Sequence, residues 1–273
     1  MLEKLHQATF AGTRWNPKQY LKFSNQRLRP ALELLERIPI KSPQVIYDLG
    51  CGSGNITRIM SERWSSATVY GLDSSDEMLN KAATEESRVK WVKSDISNWS
   101  ANEPIDLIYS NSALHWLTQH DRVFPKLLGM LTKGGCLAVQ MPLSWGMPSH
   151  RLMRETLANG GVNGEPLGTE ELRKAIDRKW VEDKEFYYEI ISKQATQIDI
   201  WETEYLHILE GEDPVLEWVR GTGLRPILNT LKDEEKEIFL SEYRKRLREA
   251  YPLLANNRTL FPFRRLFIVA IVN

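Results

Sequence analysis

The residues best placed to do chemistry form one run, Val45-Ile46-Tyr47-Asp48-Leu49-Gly50-Cys51-Gly52-Ser53-Gly54-Asn55. A short apolar strand enters a glycine-rich turn, and a helical stretch opens just afterward. Gly50, Gly52 and Gly54 let the backbone take dihedrals closed to other residues and let a ligand approach with no Cβ in the way. The spacing is Gly-x-Gly-x-Gly; the dinucleotide fingerprint Gly-x-Gly-x-x-Gly would need glycine where Asn55 stands. A nicotinamide or flavin dinucleotide lays its pyrophosphate over the helix start, whereas a nucleoside donor without phosphate has no such need. The alternative reading of the run is a tight strand-to-helix turn that holds nothing.

Two later strand ends argue against that alternative. Asp73 closes Val69-Tyr70-Gly71-Leu72-Asp73, where a carboxylate can accept both hydrogens of a ribose diol. The competing role is a helix N-cap, for which Ser74 and Ser75 are also candidates. Ser94-Asp95-Ile96 follows the next strand and is placed to meet an adenine amino group and pack its ring, or else to form an Asx turn. A fourth strand ends Ile108-Tyr109-Ser110-Asn111-Ser112-Ala113-Leu114-His115-Trp116-Leu117, so Asn111, His115 and Trp116 are candidates for the reacting side. Core packing competes for Trp116, and a packed or solvated role competes for His115.

The elements that must position these residues alternate in type. Strand patterns at Val45–Tyr47, Ala67–Leu72, Val89–Val92, Ile105–Tyr109 and Cys136–Gln140 are separated by helical patterns near residues 55–64, 75–84 and 119–131. This is the signature of βαβ units, and it predicts an α/β, Rossmann-like doubly wound sheet, mostly parallel, with ligands at the carboxyl ends of the strands. Residues 1–43 read as an N-terminal helical segment, with Leu28, Leu32 and Leu35 at helical spacing and Pro39 and Pro43 ending the pattern. Residues 44–142 form the cofactor-binding core of a single 273-residue domain, and 143–273 supply late strands with helical cap insertions. In that last part, helices are expected near 148–158, 169–179, 181–193 and through 213–250. A strand is expected from Gln197 to Ile208, and the run Leu266–Val272 suits a strand buried in the sheet.

Composition narrows the classes of function. Thirty-six Lys and Arg balance thirty-six Asp and Glu, so no basic excess points to nucleic acid. The basic run Arg244, Lys245, Arg246, Arg248 sits among Glu234, Glu235, Glu237, Glu242 and Glu249, which reads as a solvated helix face. Two cysteines, Cys51 and Cys136, suit neither a disulfide framework nor a metal site. No apolar run reaches the ~18 residues of a membrane-spanning helix, and the amino terminus lacks the apolar core of a signal peptide. The cytoplasm is the expected compartment.

Several stretches together resemble class I S-adenosylmethionine-dependent methyltransferases and, within them, the trans-aconitate 2-methyltransferase family. They are Asp48–Asn55, Gly71–Ser75, Leu114–Leu117 and Leu137–Pro142, with Trp15-Asn16-Pro17-x-x-Tyr20, Arg29-Pro30-Ala31, Thr222–Pro226 and Arg265–Ala270 outside the cofactor half. The chain departs from that pattern at His115, where Gln is expected, and at Ser53, where Pro is. The resemblance implies a seven-stranded sheet, S-adenosylmethionine as donor with S-adenosylhomocysteine as product, and monomethyl esterification of a carboxylate of trans-aconitate. It puts Asp48, Gly50, Gly52 and Gly54 around the methionine portion, Asp73 on the ribose, and Asp95 with Ile96 on the adenine. Cys51, Ser74, Met78 and Asn111 complete the cofactor set. By similarity to the juvenile-hormone acid methyltransferases, Trp116 matches a Trp that holds the substrate carboxylate, and Gln26 loosely matches a Gln that does the same.

A sulfonium methyl is already activated, and a carboxylate with a reference pKa near ~4 is ionised at neutral pH, so no general base is required. Alignment of acceptor and methyl can supply on the order of 7–11 kcal/mol. A multi-anionic acid wants fixed cations with bidentate geometry, which nominates Arg29, Arg225 and Arg265, joined by Tyr20 and Trp145 if the cap folds over the strand ends. Each arginine could instead be a surface ion pair. The rival functions are a methyltransferase for another small acid or an amine (for which His115 would be the base), a module that binds S-adenosylmethionine without turnover, and a nicotinamide reductase.

Overall fold

A computed structural model describes residues 24–273. The motif Trp15-Asn16-Pro17 and the candidate Tyr20 lie outside the described residues. In chain order the elements are α1 (Ser24–Glu36), β1 (Val45–Leu49), α2 (Asn55–Arg63), β2 (Thr68–Asp73), α3 (Asp76–Ala82), β3 (Lys90–Lys93), β4 (Ile105–Asn111), α4 (His120–Leu128) and β5 (Leu131–Pro142). They continue with α5 (Pro148–Asn159), α6 (Glu170–Ile176), α7 (Lys184–Ile191), β6 (Ala195–Glu210), α8 (Pro214–Arg220), α9 (Arg225–Thr230), α10 (Asp233–Ala250) and β7 (Arg258–Val272). One sheet of seven strands has the order β3-β2-β1-β4-β5-β7-β6. Its first five strands pair in parallel, and β7 runs antiparallel to β5 with Gln140 opposite Phe267 and Pro142 opposite Arg265. The expected doubly wound, mostly parallel sheet is therefore present, and its order reverses between β1 and β4.

The central strands are apolar along their whole length because both faces are covered. Ile46, Leu49, Leu107, Ile108, Leu137 and Val139 have no exposed surface. Helix α1 buries Leu34 and Leu35, and the Tyr109 hydroxyl donates to the Ala31 carbonyl at 2.8 Å, pinning the helix to β4. Pro30 inside α1 has no N–H for the carbonyl one turn back.

Several boundaries differ from the sequence pattern, each for a local reason. The helix expected over 119–131 stops at Leu128, closed by Gly129, whose N–H returns to the Pro125 carbonyl, and Leu131 already belongs to β5. The helical block 213–250 is three helices, broken at Gly221 and at Leu231. The last strand begins eight residues early, at Arg258, so the polar start of β7 hid half of it. The helix expected over 181–193 is capped at Asp183, whose side chain accepts the Phe186 N–H at 3.1 Å.

The described residues fall into two compact units. The sheet unit comprises Asn25–Pro142, Trp180–Thr203 and Arg265–Asn273; the helical unit contains Leu143–Lys179 and Glu204–Arg264. The helical unit has its own core, in which Trp218, Phe239, Tyr243, Phe261 and Phe263 are buried with Leu152, Leu172 and Ile227. Among the described residues, no helix is long and apolar enough to cross a membrane.

Candidate active site

The glycine-rich turn connects β1 to α2. Gly50, Gly52 and Gly54 all have positive φ, at 76°, 56° and 78°. Two of them are fixed by their surroundings. A Cβ built on Gly50 lies 2.2 Å from the Cβ of Ala113, and one on Gly54 lies 2.3 Å from the Trp91 ring. Gly52 differs, because a Cβ there meets nothing within 4 Å and so points into open space.

Two carboxylates hold this turn from behind. Asp73 accepts the Gly52 N–H through Oδ2 and the Ser75 N–H through Oδ1, both at 2.9 Å. Its burial raises its pKa, and these backbone donors oppose the rise. The helix cap is made instead by Ser75, whose hydroxyl accepts the Met78 N–H at 3.3 Å. Asp48 is buried under the turn and accepts the Thr57 hydroxyl at 2.6 Å. Burial pushes its carboxyl from 3.8 up to about 7, with the Asp73 charge adding to the rise and the Thr57 bond opposing it. Arg58 ties the outer side, donating to the Ser53 carbonyl at 3.1 Å and to the Ala82 carbonyl at 3.0 Å. Burial also pushes the Cys51 thiol up, which keeps it protonated.

The remaining cofactor candidates are placed unequally. Ile96 reaches within 3.9 Å of the Gly50 position, and Ser74 is exposed at the end of β2. Met78 is buried in α3. Asp95 is exposed, and its Oδ1 accepts both the N–H and the hydroxyl of Ser97 at 2.9 and 2.7 Å, so the Asx turn is real. Asn111 ends β4 with its side-chain oxygen buried and unpartnered among the described residues.

On the reacting side, His115 and Trp116 ride on a single 3-10 turn, Leu114–Trp116, with ring centroids 4.7 Å apart. The Trp116 ring meets Trp180 edge-on at 5.9 Å. His120 anchors the turn: its Nε2 lies 3.0 Å from the Leu114 carbonyl and its Nδ1 lies 2.7 Å from the Tyr187 hydroxyl. Since a carbonyl only accepts, Nε2 carries the proton and the Tyr187 hydroxyl donates to Nδ1. Arg265 is 4 % exposed at the carboxyl end of β5, and its Nη1 donates to the Gln140 Oε1 at 3.2 Å and the Ser112 Oγ at 3.3 Å. Gln26 is half-buried on α1.

The other two arginines sit differently. Arg29 is exposed on α1 and pairs with Glu33 one turn along at 2.7 Å. Arg225 opens α9 in the helical unit and is half-buried. Trp145 belongs to that unit too, where its indole donates to the Asp177 carbonyl at 3.0 Å and the Arg154 guanidinium lies 4.2 Å from its ring centre.

Sequence reasoning missed Thr57, Arg58, Ser112, His120, Gln140 and Trp180. Thr57 alone carried a local signal, a hydroxyl one turn inside the helix that follows the glycines. Arg58 and His120 also reach carbonyls five and six residues back, but the links from Arg58 to Ala82, from His120 to Tyr187, from Ser112 and Gln140 to Arg265 and from Trp180 to Trp116 span long sequence separations. Among the described residues, no group of three or more His, Cys, Asp or Glu could hold a metal ion.

A phosphate needs free N–H groups at the start of a helix. Here the central N–H of the turn is already given to a carboxylate, which would also repel a phosphate. The arrangement suits a phosphate-free nucleoside whose sugar hydroxyls can donate to Asp73. Residues 46–135 match the family model of the methyltransferase domain. The fold is shared with a putative methyltransferase from Bacillus halodurans, at 12 % identity and a TM-score of 0.56 over 89 % of this chain and 98 % of that one. It is also shared with Haemonchus contortus phosphoethanolamine N-methyltransferase 2, solved with S-adenosyl-L-methionine, at 17 % identity and a TM-score of 0.54 over 98 % of this chain and 57 % of that one. Fold and turn together define a class I methyltransferase. The trans-aconitate 2-methyltransferase of Pseudomonas aeruginosa PAO1 is 43 % identical over 258 residues, covering 94 % of each chain, and that of Azoarcus sp. is 40 % identical over 257 residues, covering 94 % of this chain and 98 % of its own. The chain belongs to the trans-aconitate 2-methyltransferase family.

Proposed function

We propose that the chain moves a methyl group from S-adenosylmethionine to one carboxylate of a small multi-anionic acid, trans-aconitate or a close tricarboxylate. The observation that carries this reading is the Asp73 carboxylate on the Gly52 N–H. It favours a nucleoside donor without phosphate and disfavours a dinucleotide. When bound, S-adenosylmethionine supplies a methyl on a positively charged sulfur, so transfer to a carboxylate oxygen leaves a thioether and an ester with no proton to move.

The chain's own residues then bind and align. Gly52 leaves the space a ligand backbone needs, with Gly50, Cys51 and Gly54 forming the rest of the turn. Asp73 has lone pairs left on both oxygens for the ribose hydroxyls, and Ile96 with Asp95 and Ser74 lies toward the base. The buried oxygen of Asn111 suits the donor's ammonium group. Asp48 and Met78 shape the turn and α3 from within. On the acceptor side Trp116, His115, Gln26 and Arg265 orient the acid. Arg265 is favoured over Arg29 because a desolvated guanidinium attracts a carboxylate far more strongly than an exposed one does.

Calorimetry with S-adenosylmethionine, S-adenosylhomocysteine and NAD tests the donor, and mass spectrometry of trans-aconitate after incubation tests the acceptor. The expected result is heat from the first two ligands only, weakened about tenfold or more in Asp73→Ala, and a product heavier by one methyl group. Binding of NAD alone would overturn the donor assignment. Methylation of amines but not of acids would overturn the acceptor assignment and return His115 to the role of base.

A further inference from the structure

We infer that His120, braced by Tyr187, is a positioning residue for methyl transfer: it fixes the turn that carries Trp116, so that the acceptor acid is held in line with the donor methyl. This rests on the reading of Trp116 as an acceptor residue given above. Leu114–Trp116 is a single 3-10 turn between β4 and α4. The Trp116 N–H returns to the Ala113 carbonyl at 3.0 Å and the Leu117 N–H to the Leu114 carbonyl at 2.9 Å. One such turn holds its shape poorly by itself, because few bonds offset the backbone freedom it gives up. The Leu114 carbonyl takes a second donor from outside the turn, His120 Nε2 at 3.0 Å.

The His120 ring is locked from its other side. Nε2 gives its proton to a carbonyl, so Nδ1 accepts, and the Tyr187 hydroxyl donates to it at 2.7 Å. That hydroxyl in turn accepts the Glu182 N–H at 3.2 Å. Burial pushes the Tyr187 phenol up, so it keeps the proton it donates. His120 is buried, and Phe124, also buried, packs against both rings at 5.5 and 5.0 Å. Turning the imidazole over would lose both bonds in a place without water to replace them. Gln119, just before it, takes φ 57°, an uncommon conformation for a non-glycine residue that persists only where its surroundings insist on it. That left-handed step opens α4 and brings its first residue back onto the turn it follows.

The turn touches both sides of the reaction. Ala113, immediately before it, packs directly on the glycine-rich turn, its Cβ 2.2 Å from one built on Gly50. Trp116, at its end, meets Trp180 edge-on at 5.9 Å. Trp180 belongs to the same short segment whose Glu182 N–H braces Tyr187. A shift of the turn therefore changes the separation of donor from acceptor. Transfer from a sulfonium to a carboxylate depends on that separation and its line, with no proton to move. Loss of the His120 bond should accordingly show in kcat more than in the binding of either ligand.

The test compares His120→Asn, His120→Gln and Tyr187→Phe with the unaltered enzyme, using steady-state kinetics on trans-aconitate, with S-adenosylhomocysteine affinity and thermal unfolding measured beside them. A glutamine amide nitrogen stands as far along its side chain as histidine Nε2 and can donate to the Leu114 carbonyl, whereas that of asparagine matches Nδ1 and cannot. His120→Asn is expected to lower kcat about tenfold or more, with KM and S-adenosylhomocysteine affinity within about twofold. His120→Gln should recover most of that loss, and Tyr187→Phe, which removes the brace but not the ring, should lower kcat severalfold. Tyr188→Phe, exposed on α7, is the control and should leave kcat unchanged. If His120→Asn does not fold, Tyr187→Phe, which loses a single oxygen, makes the same test. A folded His120→Asn with unaltered kcat, equal losses in His120→Asn and His120→Gln, or a kcat that falls only as far as lost thermal stability accounts for would each overturn the inference and leave the carboxylate reading standing. Trp116→Ala with unchanged kinetics would overturn the acceptor role of Trp116 and the inference with it. An unaltered enzyme that binds donor but methylates no acid would overturn the carboxylate reading as well.

Discussion

The wall built by β1 and β2 and the wall built by β4, β5 and β7 are made on different principles. On the first, the polar groups are tied off internally: Asp73 holds Gly52, Asp48 holds Thr57, and Arg58 clamps the Ser53 carbonyl. On the second, Asn111 and Gln140 each keep a buried polar atom unmatched among the described residues, and Ser112 is held in a left-handed conformation. The donor is the same molecule in every turnover and can be met by a finished, rigid cup. On the reading proposed above, the second wall serves both ligands, with Asn111 toward the donor's ammonium group and Arg265 toward the acceptor acid. On that reading the first wall is complete before either ligand binds, and the second is completed by them.

The largest expected effect tests how far the first wall is internally settled. Asp48 is buried, and burial raises its carboxyl from 3.8 to about 7. The folded state therefore holds this proton more tightly than the unfolded chain does. The stability contributed by the group is complete below 3.8 and is lost as pH rises toward about 7, an amount of about 4 kcal/mol. Asp48→Asn removes the titration. Urea unfolding of both proteins from about pH 4 to about pH 8 should show the variant gaining on the parent by roughly that amount. Parallel pH profiles would mean that Asp48 is not strained by burial and that the first wall owes its shape to backbone alone.

A second pair of changes separates support from reception within the turn. Gly50→Ala brings a methyl to 2.2 Å from Ala113 at φ 76° and is expected to cost about 3 kcal/mol of stability. Gly52→Ala enters open space, so only its backbone conformation is penalised, by about 1 kcal/mol. On the proposed donor site its methyl stands in the ligand's path, and S-adenosylhomocysteine affinity should fall about tenfold or more. Thermal unfolding and calorimetry on both variants read the difference. Equal losses of stability with no loss of affinity in Gly52→Ala would erase the distinction between the two glycines.

The same contrast explains what could be read from sequence. The first wall is local: Asp48, three glycines and Thr57 fall within ten residues, and Asp73 is the next strand's end; spacing located the glycines and Asp73, resemblance added Asp48, and Thr57 was passed over although its signal was local. The second wall joins residues 112, 140 and 265, and nothing in the neighbourhood of Gln140 marks it as different from any buried strand residue. Arg265 could be named from resemblance, but its partners depend on the antiparallel register that sets Pro142 against it. Trp116 was legible as a strand-end aromatic, whereas His120, which holds its turn in place through the Leu114 carbonyl, had no sequence signal. The sheet itself was legible from alternation. Its misplaced edges, at Leu131 and Arg258, lie where glycine and polar residues interrupt the apolar pattern.

The smallest expected effect decides whether burial is the right criterion for choosing among arginines. Arg29 stands on α1 with 70 % of its side chain exposed and a partner one turn away in Glu33. Such a pair contributes about 0.3–0.5 kcal/mol on a helix surface. Arg29→Ala should therefore lower thermal stability barely measurably and leave KM for tricarboxylates within about twofold, since an exposed charge is screened by solvent and salt. Arg265→Ala, measured beside it, removes a buried guanidinium and the donor that fixes the Gln140 amide, and it should raise KM far more. Were Arg29→Ala the more damaging of the two for KM, the acceptor site would have to include the exposed face of α1, and burial would be the wrong criterion for choosing among the arginines.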